Sequence, residues 1–424
     1  MSVSQDMRSS EQWQLFLLYK KKNHISKNEA ARIENFIEKR SYEHYAQLIE
    51  SGHFPESIPR KLIINKEGTD KKRVVYSFND DENVVLKFIA YGLYQFDYVL
   101  TDGCYAFRRN YGVKDAMKHF HKNAAYSHKY CFKADISNYF NSIDVDLLLD
   151  KLKFVEEKDE TLYKLFERLL CSDSVYENGK LVNESRGAMA GTPVSPFFAN
   201  VYLSDMDKWF CEHGTEYFRY SDDILIFADT EEDMNFYIQK FTDILREHRL
   251  SVNKSKVMLA KPYETWEFLG FSYNRGEIDL SENTMKKIKG KIKRKADALR
   301  RWQRKKGLPP EKAAKGFINA MNIKFFGTES ENESERASDF LRDEFTWARW
   351  FFPNITTDKS LKIIDSYMQE YIRYVITGRH YKGNYRITYG QIKEMGYRSL
   401  VNEYYKGRKR PLYPSSVHND GLTC

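Results

Sequence analysis

Residues 217–227 read YFRYSDDILIF, so two adjacent aspartates lie between apolar, aromatic-rich runs. Neighbouring side chains of a straight strand point to opposite faces, whereas a tight turn lets both lean toward one place. The pattern predicts a hairpin with Asp222 and Asp223 at its tip. Two carboxylates held together repel each other unless cations lie between them, and their oxygens suit Mg²⁺. The alternative is an ordinary surface turn with solvated acids.

A third acid follows a second apolar strand, in FKADISNYFNSID at residues 132–144. Asp135 ends this strand, 87 residues before Asp222. Three carboxylates around two Mg²⁺ ions, roughly 3.5–4 Å apart, would hold both oxygens of an in-line phosphoryl displacement. The backbone carbonyl of Ile136 is a further predicted ligand, and Mn²⁺ is the alternative ion. The sequence therefore predicts a two-metal site built from Asp135, Ile136, Asp222 and Asp223.

Composition bounds the class of protein. The chain has 424 residues, which suggests two or three lobes. Apolar residues make up 42% and charged residues 30%, which favours a globular chain over a disordered one. The net charge of +8 favours an anionic partner, with nucleic acid as the first choice. The 30 tyrosines and 28 phenylalanines can stack on bases as well as fill cores.

The cysteines and the N-terminal sequence indicate the compartment. Five cysteines without a C-x-x-C pair argue against a zinc site or a disulfide framework. We therefore expect a reducing, cytoplasmic environment. The apolar patch Trp13–Tyr19 is too short for a signal peptide or a membrane span, so we expect no membrane partner.

Hydrophobic periodicity gives a coarse secondary structure. Residues 187–210 begin as a Gly/Pro loop and continue as a helix. Helices are predicted at 1–60, 84–100, 145–171, 231–248, 286–306 and 337–405, and strands at 61–78, 130–136, on both sides of Asp222–Asp223, near 256–260 and at 267–273.

The predicted helix 286–306, KKIKGKIKRKADALRRWQRKK, carries twelve Lys/Arg residues and one acid. Its apolar residues are spaced by three or four positions, which predicts one buried face on an otherwise basic helix. Such a helix suits contacts to nucleic-acid phosphates, and a solvated surface helix is the alternative. The predicted apolar face consists of Ile288, Ile292, Ala296, Leu299 and Trp302.

Five motifs occur in a fixed order: FKADISNYFNSI, RGAMAGTPVSPFFANVYL, YSDD, KSKVMLA and FLGF. Together they resemble the palm motifs of reverse transcriptases, over roughly residues 55–325. The most similar are bacterial ones, from group II introns, retrons and especially the defence-associated class. The resemblance implies an α+β right-hand polymerase, with an antiparallel palm sheet backed by helices. It implies fingers (55–130), a palm with part of the fingers interleaved (131–280) and a thumb (281–327). Outside the resemblance lie an N-terminal helical extension (1–54) and a C-terminal helical region rich in Tyr and basic residues (328–424). The hypothesis for these two regions is RNA binding, and a helical cap over the palm is the alternative for the second.

The resemblance also implies residue roles. Asp135, Asp222 and Asp223 would be the metal-binding catalytic carboxylates. Lys256 would protonate the leaving pyrophosphate, although Lys254 lies nearby. Phe140 would be the steric gate that excludes a sugar 2′-OH, with a core aromatic as the alternative.

Nucleotide-binding and strand-binding residues follow in the same way. Lys66 and Arg73 would contact the triphosphate, with Lys71 and Lys72 as neighbours that could substitute. Ala190 stands where the family usually has Gln, which leaves nucleotide selectivity open. The remaining implied residues are Gly191 and Pro193 against the nucleotide, Phe268, Leu269 and Gly270 in the primer grip, and Lys286, Lys289, Lys293, Arg294, Arg300 and Arg301 along the nucleic-acid backbone.

The resulting hypothesis is an RNA-directed DNA polymerase that uses dNTPs, an RNA template and Mg²⁺ to make DNA. The resemblance further implies antiphage defence with an associated noncoding RNA as template. Three alternatives stay open: an RNA-directed RNA polymerase, an RNA-binding scaffold of the maturase type with a vestigial palm, and untemplated DNA synthesis. The primer and a homo-oligomeric state also stay open.

Overall fold

The computed structural model describes residues 2–23, 25–65, 72–122, 124–184, 187–327 and 346–409. The chain divides into two compact units, residues 1–266 and residues 267–424. Both units contain helices and strands, so the predicted α+β class is confirmed. None of the helices in the described ranges combines the length and the hydropathy that crossing a bilayer requires.

The elements of the first unit follow the predicted order, with strands numbered β1–β8 along the chain. Its helices are Val3–Asp6, Ser10–Lys22, Lys27–Glu38, Ser41–Glu50, Asp80–Gly92, Val113–Lys122, Tyr139–Ser142, Val145–Lys151, Lys153–Glu156, Glu160–Cys171, Ser195–Tyr202, Ser204–Glu212 and Glu231–Glu247. Its strands are β1 Arg60–Asn65, β2 Lys72–Ser77, β3 Tyr130–Asp135, β4 Ser174–Glu177, β5 Lys180–Asn183, β6 Tyr217–Tyr220, β7 Asp223–Ala228 and β8 Met258–Ala260.

The central sheet of the first unit has the order β6-β7-β3-β8, with every neighbouring pair antiparallel. Strand β7 is apolar and almost completely buried, as expected for a strand that is covered on both faces. The helix Glu231–Glu247 packs against β3 and β7, and Phe241 lies 5.5 Å from the ring of Phe132. The predicted antiparallel sheet backed by helices is confirmed.

A second sheet in the same unit has the order β2-β1-β4-β5. Strand β1 pairs with β2 along its whole length, which confirms the predicted strand pair at 61–78. The hairpin β4–β5 was not predicted from the sequence. Its turn is Asn178-Gly179, and both residues have positive φ, as a tight hairpin turn of this kind requires.

The N-terminal helices, predicted at 1–60, are built around one aromatic cluster. The side chain of Trp13 is completely buried. Its ring stacks on Phe88, with centroids 4.0 Å apart, and it also contacts Phe36 and Tyr42. Aromatic burial of this size therefore holds these helices to the helix Asp80–Gly92.

The second unit contains the predicted basic helix. Strand β9, Trp266–Phe268, marks the boundary, and the remaining elements are β10 Phe271–Asn274, β11 Glu277–Leu280 and the helices Glu282–Lys306, Pro310–Phe326, Trp347–Phe351, Lys359–Thr377, Tyr389–Glu394 and Leu400–Lys409. Ser281 caps the basic helix by accepting from the Thr284 N–H, and Gly307 ends it at a φ of 61°. Ile288, Ile292 and Ala296 are buried as predicted, whereas Trp302 is 41% exposed. The predicted apolar face is therefore shorter than the periodicity suggested.

Candidate active site

The predicted hairpin at YSDD is present. Strands β6 and β7 pair Tyr220 with Asp223, and the turn between them consists of Ser221 and Asp222. Ser221 has a φ of 62°, in the left-handed region that a tight turn uses. The Asp222 carbonyl accepts from the Ile136 N–H at 3.0 Å, which ties the turn to the end of β3.

Strand register brings the predicted carboxylates together. Asp135, the last residue of β3, lies directly opposite Asp223, the first residue of β7. Side chains that face each other across an antiparallel pair have Cβ atoms about 5 Å apart. Asp222 precedes Asp223 in the turn, so all three carboxylates lie at one end of the sheet.

Two lysines neutralise these carboxylates. Lys256 forms a short ion pair with Asp135, and Asn253 donates its side-chain N–H to the other Asp135 oxygen at 3.3 Å. The Lys133 ammonium lies 3.5 Å from Asp223 Oδ1. Sequence reasoning missed Lys133 and Asn253. For Lys133 there was a signal, because it stands two positions before Asp135 and so shares its face of β3.

Asp223 has a carboxyl whose pKa is shifted by its surroundings. The pKa of Asp223 is raised to about 6, chiefly by burial and also by the charges of Asp222 and Asp135, while Lys133 opposes the shift. Among the described residues, its Oδ1 is buried and accepts no hydrogen bond. A buried carboxylate whose Oδ1 has only the Lys133 ammonium nearby, at 3.5 Å, has room for a closer cationic ligand.

The donor set fits a hard divalent cation, because it consists of oxygen ligands alone. The side chains as placed do not yet form such a site. Within the described ranges, no group of three or more His, Cys, Asp or Glu side chains is arranged to hold a metal ion. Lys256 and Lys133 already contact Asp135 and Asp223. Asp135, Asp222 and Asp223 would hold a divalent cation in competition with these lysines, and the identity of the ion stays a prediction.

The raised pKa of Asp223 makes stability depend on pH. A carboxyl whose pKa is about 6 in the folded state and 3.8 ordinarily takes up a proton on folding between these values. The ionised form of Asp223 therefore lowers the free energy of unfolding. This loss of stability is complete at pH values above the folded pKa and nearly absent below pH 3.8. We expect Asp223→Asn to raise that free energy by about 1–3 kcal/mol at about pH 7.5, and by much less at about pH 4.

Urea unfolding in a chelator at both pH values measures this effect. Asp229→Asn is the matched control, because Asp229 follows the same strand but is 76% exposed at its side chain. An equal gain from Asp223→Asn at both pH values would contradict the electrostatic explanation.

Two predicted nucleotide contacts lie side by side. Phe140, in the short helix after β3, is 9% exposed. The Arg73 guanidinium lies 5.7 Å from the centroid of its ring, and the Phe107 ring lies 6.3 Å away. The predicted steric gate and the predicted phosphate ligand therefore form one surface. Lys66 and Lys71 lie outside the described residues.

The loop that carries Gly191 and Pro193 packs on β2. Gly191 has a φ of 99°, and a Cβ there would lie 2.8 Å from the Cβ of Val75. Only glycine fits so close to the strand. The Tyr76 N–H donates to the Ala190 carbonyl at 2.7 Å, and Ala190 is buried. A side chain as long as Gln at position 190 would therefore require the surrounding residues to rearrange. Pro193, in the same loop, is half-buried.

The predicted primer grip divides into a core residue and a turn. Phe268 is buried, so its side chain serves the core of its own sheet. Leu269 and Gly270 form the turn, with φ values of 52° and 90°. The Gly270 carbonyl accepts from the Ser281 N–H at 2.9 Å and from the Thr284 hydroxyl at 2.8 Å. The turn is thereby fixed to the start of the basic helix.

The six predicted backbone contacts fall into two groups. Arg300 and Lys289 are half-buried: Arg300 donates to the Val375 carbonyl at 3.2 Å, and the Lys289 ammonium lies 5.5 Å from the Tyr367 ring centroid. Arg300 is thus committed to packing inside the unit. The side chains that are exposed along the helix are Lys286, Lys293, Arg294 and Arg301.

A buried ion pair beneath the hairpin was missed by the sequence reasoning. Arg219 on β6 and Asp207 on the helix Ser204–Glu212 are both completely buried. The Arg219 Nε donates to Asp207 Oδ1 at 2.6 Å, and a second guanidinium nitrogen contacts Oδ2. Arg219 also donates to the Ser221 carbonyl at 3.4 Å. The pair therefore positions the turn that carries Asp222.

Comparison with known proteins gives matches to one family. Residues 64–273 match the family described as "Reverse transcriptase (RNA-dependent DNA polymerase)". The retron Ec83 reverse transcriptase of Escherichia coli is 29% identical over 138 residues, which cover 30% of this chain. A putative enzymatic polyprotein of Cassava vein mosaic virus is 34% identical over 89 residues, 21% of this chain. The chain spans 43% and 13% of the lengths of these two relatives.

Solved structures that are similar to the chain have low identity and TM-scores below 0.5. An apo telomerase from Candida tropicalis is 10% identical, with a TM-score of 0.44, over 80% of this chain and 68% of that chain. A telomerase from Candida albicans in complex with a fragment of telomeric RNA is 12% identical, with a TM-score of 0.42, over 89% and 71% of the two chains.

Proposed function

Because residues 64–273 form a reverse transcriptase domain related to those of retron enzymes, we propose that the protein is an RNA-directed DNA polymerase. The observation that carries the proposal is the pairing of Asp135 with Asp223 at the end of an antiparallel sheet, with Asp222 beside them. A scaffold without catalysis has no need of three acids in a place where burial raises a carboxyl pKa.

The residues of the site divide the work of phosphoryl transfer. Asp135, Asp222 and Asp223, with the Ile136 carbonyl, would hold two Mg²⁺ ions, which when bound stabilise negative charge on the transferring phosphate. A 3′-hydroxyl oxygen bonds to the α-phosphorus of a dNTP and gives its proton to water, while the bond between the α-phosphorus and the bridging oxygen to the β-phosphate breaks and pyrophosphate leaves.

Side chains around the carboxylates bind and orient the nucleotide. Arg73 and Lys66 bind the triphosphate oxygens, and Phe140 packs where a sugar 2′-OH would lie. Lys256 forms an ion pair with Asp135, which places its ammonium beside the carboxylates, where it would donate a proton to the leaving pyrophosphate.

The finer assignments belong to the same proposal. The fingers comprise residues 55–130, the palm 131–280, the thumb 281–327 and the RNA-binding additions 1–54 and 328–424. The protein is bacterial, acts in the cytoplasm, and copies an associated noncoding RNA into DNA in antiphage defence. The motifs of residues 132–143, 186–203 and 220–223, together with the similarity to a retron enzyme, support these assignments.

Protein purified together with its bound RNA tests the activity. Mg²⁺ and labelled dNTPs are supplied, and both the RNA and the product are sequenced. We expect DNA complementary to one co-purifying RNA, and no product from the Asp222→Ala/Asp223→Ala variant. Product of unrelated sequence would favour untemplated synthesis, and equal product from the variant would refute the assignment of the carboxylates.

Phe140 should control the choice of sugar. We expect Phe140→Ala to raise the use of ribonucleotides relative to deoxynucleotides by about 10- to 100-fold, because the ring no longer blocks a 2′-OH. Single-nucleotide incorporation on a defined primer and template measures the ratio. Phe154→Ala, at a half-buried aromatic of the same unit, is the control. If the wild-type protein already used both sugars equally, Phe140 would not be a gate.

A further inference from the structure

A cavity of about 570 Å³ lies within the second unit, between the basic helix, the helix Lys359–Thr377 and the segment that follows it. Its volume is in the range of small-ligand pockets. Both aromatic rings and cationic side chains line this cavity. The side chains that matter here are Lys289, Tyr367, Arg373, His380, Tyr381 and Tyr385.

The rings are presented to solvent and are backed by cations. Tyr385 is 74% exposed, and the Arg373 guanidinium lies 5.2 Å from its ring centroid. Tyr381 is 46% exposed, with the Arg379 guanidinium 4.6 Å from its centroid. Rings this exposed contribute little to a core, whereas base stacking uses exposed rings next to cations.

A glycine holds one of these rings in place. A Cβ at Gly383 would lie 2.3 Å from Cε2 of Tyr381, so the ring lies directly against the backbone of the next turn. Any other residue would push the ring away. The position of the Tyr381 ring at the cavity therefore depends on glycine at position 383.

A buried acceptor on the cavity wall lacks a partner. Asn384 lines the cavity, is 5% exposed and donates its amide N–H to the Arg379 carbonyl at 2.8 Å, which fixes the orientation of the amide. Among the described residues, no donor reaches its Oδ1, which is buried. A buried acceptor without a donor costs free energy that a ligand N–H would recover.

The charges around the cavity suit a phosphate. Lys289, Arg373 and Lys382 line it, and its one acidic side chain, Glu370, is paired with His380 at 2.9 Å. Three cations against one carboxylate leave these lining side chains with a net positive charge, which favours an anion. Rings, an N–H acceptor and cations together are the groups that recognise a nucleotide.

We propose that this cavity binds one unpaired nucleotide, whose base stacks on Tyr385 and Tyr381, donates an N–H to Asn384 Oδ1 and places its phosphate near Lys289 and Lys382. The proposal rests on the RNA-binding role proposed for residues 328–424 and specifies a site for it, while none of the three catalytic carboxylates takes part. The nucleotide is either part of a single strand or free in solution, and the experiment separates these two sources.

Fluorescence anisotropy with labelled single-stranded homopolymers of A, C or U, without dNTPs, tests the proposal on the full chain. We expect Tyr385→Ala to weaken binding of at least one homopolymer by about fivefold or more, the loss that corresponds to one stacked base. Tyr385→Phe should bind like the wild type, because it keeps the ring. Tyr98→Ala should also bind like the wild type, since Tyr98 is 60% exposed but lies in the other unit.

The Asp222→Ala/Asp223→Ala variant separates this proposal from the polymerase. It should bind the homopolymers like the wild type while making no DNA, so that either proposal can fail alone. Competition with AMP, CMP and UMP identifies the source: displacement by a mononucleotide indicates a free-nucleotide pocket, and its absence indicates a site for a strand.

The role of Asn384 is tested by removing the base N–H that would donate to its Oδ1. Homopolymers with N6,N6-dimethyladenine in place of adenine lack the amino donors, and we expect the wild type to bind them more weakly than the parent strand. Asn384→Leu should bind both alike. Unchanged binding of every homopolymer and mononucleotide by Tyr385→Ala would overturn the proposal, and so would equally tight binding of an acidic peptide, which would indicate attraction by charge alone.

Discussion

Asp223→Asn should reduce DNA synthesis by about a thousandfold and leave the protein folded. The amide keeps the shape of the side chain but removes the negative charge that a divalent cation needs. Asp223 is also the carboxylate whose pKa is raised to about 6 by burial and by its two acidic neighbours, so it gains most from a bound cation. Primer extension at saturating Mg²⁺ and dNTP measures the loss.

The same substitution should stabilise the protein, and this second effect makes the result interpretable. A loss of activity through misfolding would come with a lower free energy of unfolding, whereas a loss through missing charge comes with a higher one. Asp229→Asn, directly after the same strand and paired with Lys129, should leave synthesis within about twofold of wild type. Synthesis by Asp223→Asn at more than a tenth of the wild-type rate would contradict a catalytic role for this carboxylate.

The local parts of this site could be predicted from the sequence. The hairpin at Asp222–Asp223 and the strand that ends at Asp135 each follow from a few neighbouring residues, because alternation and turn chemistry are short-range signals. The register that sets Asp135 opposite Asp223 could not be predicted this way. Alternation fixes which face a side chain takes, but it does not say which strand lies beside which.

Long-range contacts explain most of the other differences. Trp302 continues the apolar spacing of its helix, yet its side chain is 41% exposed. The spacing of apolar residues does not show how far along a helix other elements pack against it. Arg300 looks like one more surface cation in a basic run, but it lies against Gly378, where a Cβ would clash with its guanidinium. The hairpin at Asn178-Gly179, like Lys133 two positions before Asp135, had a local signal that the sequence reasoning overlooked.

Arg219→Met should lower the free energy of unfolding by about 3–5 kcal/mol, because it leaves the Asp207 carboxylate buried and unpaired. Both partners are completely buried, so water cannot replace the lost charge. Urea unfolding at neutral pH measures the change. Arg246→Met is the matched control, since Arg246 pairs with Asp243 at the surface and its side chain is 72% exposed. There we expect a change below about 1 kcal/mol.

Replacing both Asp207 and Arg219 tests whether the ion pair is needed for stability or for positioning the turn. Asp207→Leu/Arg219→Met removes both charges, and removing a buried pair altogether often costs little. Here the double variant should recover only part of the stability. Tyr217 would lose the carboxylate to which its hydroxyl donates at 2.7 Å, and the Ser221 carbonyl would lose its donor. Full recovery of the free energy of unfolding would mean that apolar side chains can replace the ion pair without loss of stability.

Partial recovery has a consequence for catalysis. Arg219 donates to the residue that precedes Asp222, and the Asp222 carbonyl accepts from Ile136, next to Asp135. Without that donor the turn is held from one side only. We therefore expect the double variant to synthesise DNA more slowly than the wild type at temperatures where both are folded, with a higher Mg²⁺ requirement. Equal Mg²⁺ dependence of the two proteins would show that the buried pair supports the fold but does not position the carboxylates.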